Sequence, residues 1–182
     1  PALDAYLRIA DLEAAVEKSE DAENTPATKA ARLDEVADGQ LVQRNRWLKV
    51  RIAALRSLAK PEEQVELDRV LGERLSKIAT TGDADALRRW IEIGGQHALV
   101  DNCREALIGR LGGPETLLER ERLLLQLGAS KDENRHPRAC ALLAKLYSEA
   151  HQPALSAAAY QELVERWGDV VVLNEQTGRQ LF

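Results

Sequence analysis

His136 and Cys140 stand four residues apart, the spacing at which a helix aligns two metal ligands on one face. Pro137 breaks that alignment, because proline favours the first helical position and leaves His136 in the cap. His97 and Asp101 share the same spacing, but Cys103, two residues further on, faces elsewhere. The chain has no C-x-x-C and no H-E-x-x-H, and it lacks G-x-S-x-G, a P-loop and G-x-G-x-x-G. Gly94-Gly95 and Gly112-Gly113 follow helical rather than strand sequence, so they read as helix stops. No catalytic, metal-binding or cofactor-binding residue is assigned, and the chain is expected to be non-enzymatic with no cofactor.

What remains is surface chemistry. Net charge is −5, which argues against general nucleic-acid binding, but the charges are blocked. Residues 1–40 carry ten acids and four bases; residues 41–60 carry six bases (Arg44, Arg46, Lys49, Arg51, Arg56, Lys60) and no acid. On a helical wheel Leu41, Leu48, Ile52, Leu55 and Ala59 form an apolar stripe, with Arg46, Lys49, Arg56 and Lys60 on the other side. These four bases are the candidate interaction surface. An intramolecular or plainly solvated role is the leading reading; an acidic partner, or lipid or nucleic acid, are the alternatives. A stripe used as core cannot also enter lipid, so direct membrane binding is expected to be weak and electrostatic. Arg44 and Arg51 fall beside the stripe and are expected to snorkel or to pair with acids of a neighbouring helix. Trp47, Trp90 and Trp167 each lie on an apolar helical face and read as core anchors, with a peptide groove the alternative.

The elements that position these groups are helices. A hydrophobic content of 45% with 30% charged residues fits a folded chain, and no apolar run nears eighteen residues. Spacing predicts helices over about 2–18, a short one from Thr25-Pro26 to Asp38-Gly39, and a strong one over 40–60. Further helices run from Pro61 to Thr80-Thr81-Gly82, Asp83 to Ile93, His97 to Leu111, Pro114 to Gly128, Pro137 to Ala150, and Pro153 to Trp167-Gly168. Cys103 and Cys140 sit among apolar neighbours and read as small buried hydrophobes, with a disulfide the alternative. The chain starts at Pro1 and lacks Met, which reads as a piece of a larger protein, and its compartment stays open.

The last fourteen residues follow a different rule. Val170-Val171-Val172-Leu173, then Asn174-Glu175-Gln176-Thr177-Gly178, then Arg179-Gln180-Leu181-Phe182 predict strand, turn and strand. This segment resembles the blade hairpin of PQQ-like β-propeller repeats. The line Leu143-Ala144, Tyr147, Ser156, Tyr160 and Leu163 resembles a tetratricopeptide unit, although His151 stands where that pattern wants Gly and Pro153 where it wants Tyr. Earlier helix pairs keep no 34-residue period and look more HEAT-like. Thr116 through Leu124, Tyr160 through Trp167 and Asp169 through Leu181 together resemble a planctomycete family that joins PQQ-like propellers to an α-solenoid, some members of which are described as membrane-coat-like.

The expectation is an all-α, right-handed α-solenoid of about four antiparallel helix pairs over residues 1–168, with a strand-turn-strand tail over 169–182. An isolated hairpin is marginal in water, so the tail is expected to belong to a missing blade, and its deletion to leave the melting temperature nearly unchanged. The resemblance implies a non-enzymatic scaffold or protein-interaction module of a larger propeller/solenoid protein, its partners other proteins or other domains of the same polypeptide. The alternative it implies is an accessory helical domain of a PQQ-like enzyme whose active site lies outside this chain. The family resemblance alone suggests the cell envelope or periplasm.

Overall fold

A computed structural model describes residues 2–20, 33–36, 40–95 and 97–181. The all-α class holds: among the described residues helices dominate, accompanied by two small antiparallel hairpins. The chain divides into two compact units, Pro1–Cys103 and Arg104–Phe182.

The first unit contains α1 (Ala2–Glu20), β1 (Leu33–Val36), β2 (Gln40–Gln43), α2 (Arg44–Leu58), α3 (Pro61–Thr81), α4 (Ala84–Gly94) and the start of α5 (Val100–Arg110). α4 packs on both α2 and α3, and α1 packs on α2. Leu48, Leu75, Leu87, Trp90, Ile93, Val100 and Cys103 supply a fully buried core. Tyr6 meets Trp47 edge-on at 5.8 Å, and Asp11 pairs with Arg74, tying α1 to both α2 and α3. Gly94 makes the α4–α5 corner possible, since a Cβ there would lie 2.6 Å from Val100 Cγ2 and 3.1 Å from Leu75 Cδ2.

Two expectations are corrected here. Residues 33–36, assigned above to a short helix, are strand β1, paired with β2 so that Val36 faces Gln40 and Leu33 faces Gln43. Three residues, Ala37-Asp38-Gly39, separate the paired ends, and a Gly-terminated connection of that length is hairpin chemistry as much as a helix stop. The rest of that expected helix lies outside the described residues. The basic helix is also shorter than 40–60: Gln40–Gln43 is strand, and Ala59 and Lys60 are extended with ψ 148° and 159°. Pro61 imposes that ending, because its ring excludes the preceding residue from the helical region. The starts at Pro61 and Pro153 fall where the residues place them, whereas Asp83, expected as the first helical residue, caps α4 from outside, its Oδ1 accepting from the Ala86 N–H at 2.8 Å.

The second unit contains a 3-10 turn at Pro114–Thr116, α6 (Leu117–Gly128), a 3-10 turn at Glu133–Arg135, α7 (His136–Glu149), α8 (Pro153–Trp167), β3 (Val171–Leu173), β4 (Gln176–Thr177) and α9 (Gly178–Leu181). α7 is central and packs on both α6 and α8. Small residues let α7 and α8 approach: Ala144 is fully buried, and Ser156 Oγ donates to its carbonyl at 2.9 Å. Toward α6, the Tyr147 hydroxyl donates to Glu121 at 2.8 Å, and Arg120 pairs with Glu149 at 3.3 Å.

His151, where the tetratricopeptide pattern wants Gly, adopts φ 56° at the α7–α8 turn. The His151 N–H bonds Ser148 O and the Gln152 N–H bonds Tyr147 O, a Schellman closure built on a left-handed residue. In the tail, Asn174 and Glu175 have φ 47° and 63°, the signature of a type I′ hairpin turn that favours Asn-Gly. A side chain in this region is disfavoured by about 1 kcal/mol, so His151→Gly and Glu175→Gly are each expected to stabilise by about 0.5–1 kcal/mol. Paired urea titrations check this, and a lower midpoint for either variant would contradict it.

The tail differs from its expectation in two respects. Its second apolar run is helical over Gly178–Leu181, not strand, while Phe182 lies outside the described residues. The cause is the seat of Gly178: a Cβ there would lie 2.6 Å from Trp167 O and 3.1 Å from Leu163 O, so the chain turns hard against the end of α8. The tail is also packed: Val172, Leu173 and Leu181 lie with Tyr160 and Trp167 against Cys140, Ala141 and Leu163.

Candidate interaction surface

The four bases singled out from the sequence do not form one free patch. Arg56 forks onto Asp68 of α3, Nε to Oδ1 at 2.7 Å and Nη2 to Oδ2 at 2.8 Å, which holds the guanidinium above its ordinary pKa. Arg46 Nε lies 3.5 Å from Glu92 of α4. Lys49 remains exposed and lays its stem over Gly95, 3.3 Å from where a Cβ would stand. Lys60 leaves the helix altogether; its backbone N–H donates to Glu63 Oε2 at 2.8 Å at the head of α3. Arg51 stacks over Trp47 at 5.3 Å. Of the apolar stripe, Leu48 and Ile52 are buried, Leu55 and Ala59 half-buried, and the Leu41 side chain lies outside the described residues.

The histidines and cysteines serve the backbone. His97 Nδ1 accepts from the Leu99 N–H at 3.2 Å, so Nε2 carries the proton and donates to Asp68 O at 3.1 Å. His136 begins α7, its Nε2 2.7 Å from Ser130 O. The Cys103 thiol donates to Leu75 O and the Cys140 thiol to Ala159 O, and neither forms a disulfide. Among the described residues no group of three His, Cys, Asp or Glu side chains has metal-binding geometry, and no helix is long and apolar enough to cross a membrane.

Burial pushes the Cys140 thiol up to about 11, reinforced by Glu162 and opposed by Arg166. The thiolate is the reactive species, so at pH 8 it is expected to react with a disulfide reagent about 100-fold more slowly in the folded chain than in urea. The rate should climb as pH rises toward 11. Equal rates in folded and unfolded chains at pH 8 would refute the shielding.

The surface that the sequence reading missed is on α6. Leu123, Leu124 and Leu127 are buried, whereas Leu118 is 80% and Leu125 54% exposed. With Glu121, Arg122, Gln126 and Ala129 these two leucines line a shallow groove of about 360 Å³. The signal was present: leucines at 117, 118, 123, 124, 125 and 127 are too many for one buried face of twelve residues, so some must point outward. A second groove, of about 560 Å³, opens at the α7–α8 turn between His151, Pro153, Ser156 and Tyr160. Comparison with protein-family models, with curated proteins and with solved structures finds no match.

Proposed function

We propose that the chain is a non-enzymatic protein-interaction and scaffolding module, its helix pairs of the tetratricopeptide/HEAT-like, right-handed α-solenoid kind. The observation that carries this is the α6 face, where two leucines stand exposed on the side opposite the helix's own core. The α7–α8 hairpin supports the solenoid reading through its left-handed turn residue and its small-residue contact at Ala144 and Ser156. Leu173-Asn174-Glu175-Gln176-Thr177-Gly178 supports placing the module in a larger membrane-coat-like protein that combines propeller and solenoid.

Cross-linking mass spectrometry on the chain in its native cells tests this. The expected result is a protein partner cross-linked beside α6 and lost in the Leu118→Glu/Leu125→Glu variant, which leaves the buried face of α6 untouched. Cross-links that are unchanged by that variant would overturn the assignment of the surface.

A further inference from the structure

At 100° per residue, Leu118, Leu125 and Ala129 fall within about 40° of one another around α6, and Leu123, Leu124 and Leu127 occupy the opposite side. The outward stripe is flanked asymmetrically, by Glu121 on one side and Arg122, about 100° away, on the other. Both flanking residues and both leucines line the same groove. Glu121 is held in place by the Tyr147 hydroxyl on its Oε1, which leaves the second carboxylate oxygen to accept elsewhere.

That charge order discriminates between ways of laying a second copy on the stripe. When two α6 helices run parallel about a two-fold axis, the flanks exchange, so Glu121 of each copy meets Arg122 of the other. When they run antiparallel about a two-fold, each flank meets itself, and Glu121 opposes Glu121 while Arg122 opposes Arg122. Opposite charges favour the first arrangement and like charges disfavour the second.

We infer that the α6 face binds a second copy of this chain, with the two α6 helices parallel. Leu118 packs on Leu118, Leu125 on Leu125, and two reciprocal Glu121–Arg122 pairs close the flanks. The inference rests on the reading of α6 as an interaction surface and names its occupant. Such a two-fold interface is isologous, so it closes as a dimer and does not propagate into a filament. One helix on one helix buries less than about 1,000 Å², so the association is weak and shows only at high concentration.

Sedimentation velocity of the whole chain from about 10 µM to about 1 mM should show a reversible shift from monomer to dimer. Leu118→Glu/Leu125→Glu should abolish the shift, and Arg122→Glu should weaken it by about tenfold or more, since it places acids against acids. Both variants change exposed positions, and an unchanged far-UV spectrum confirms that they fold. Leu118→Cys alone and Leu125→Cys alone should each yield disulfide-linked dimers on mild oxidation, because a parallel two-fold sets equal positions opposite each other. Cys103 and Cys140 are buried and do not compete.

A monomer at every concentration, or a dimer that withstands Leu118→Glu/Leu125→Glu, overturns the dimer. Cross-linking only between a Leu118→Cys chain and a Leu125→Cys chain overturns the parallel orientation. A monomer that nevertheless shows native-cell cross-links sensitive to Leu118→Glu/Leu125→Glu would remove the second copy as occupant while leaving the interaction reading in place.

Discussion

Deleting residues 170–182 is expected to lower the melting temperature of the unit Arg104–Phe182 by about 15–30 °C. The deletion removes Val172, Leu173 and Leu181 from the cluster around Leu163, and it bares Tyr160, Trp167 and the fully buried Leu163 itself. At about 1–1.5 kcal/mol for each half-buried aliphatic lost, plus the newly exposed lining, the loss comes to about 4 kcal/mol. In a domain of this size each kcal/mol moves the midpoint by about 4–8 °C. The α8 terminus suffers as well, because Trp167 O loses the Val170 N–H and Gly168 O loses the Arg179 N–H. Differential scanning calorimetry decides the matter. A midpoint within a few degrees of the full chain would return the tail to the status of an appendage awaiting a propeller blade, as its sequence suggests.

In the first unit the largest single-residue effect is expected from Trp90→Ala, at about 3–5 kcal/mol. Trp90 is 2% exposed, and Arg74 lays its guanidinium 5.5 Å from the ring centroid while pairing with Asp11 of α1. Truncation opens a cavity beside the half-buried Arg74 and weakens the tie between α1 and α3. Trp90→Phe keeps most of the ring and should cost about 1–2 kcal/mol, so the two variants separate lost volume from lost geometry. Thermal melts followed by far-UV circular dichroism are the check. Equal losses for Ala and Phe would show that the site collapses around whatever side chain it holds.

Helix starts and stops were legible because they are local events. Pro61 and Pro153 each fix a backbone angle at the first helical position, Asp83 caps α4 through its own carboxylate, and Gly95 takes φ 59° at the end of α4. The β1–β2 hairpin was missed because four-residue strands show too little alternation to outweigh helical spacing, and Asp38-Gly39 serves either structure. That bases of the basic helix serve within the chain was legible, but which acids they meet was not. Asp68 and Glu92, which take up Arg56 and Arg46, come from two other helices, and only packing brings them there. The α6 face lies between these cases: leucine count betrays an excess of apolar surface, but which leucines face outward depends on where α7 sits.

The Gly178 seat also bears on how the second unit assembles. The Arg179 N–H to Gly168 O and Gly178 N–H to Val170 O bonds, at 2.9 and 3.1 Å, join residues only eleven and eight positions apart in the chain. Closing so short a loop costs little entropy, and a left-handed Asn174–Glu175 turn pre-bends it. The end of α8 and the tail can therefore form as one local nucleus, without waiting for α6 to arrive. Their amides at 170, 178 and 179 should exchange with solvent together, as a single cooperative opening, and not fray one by one from the C-terminus.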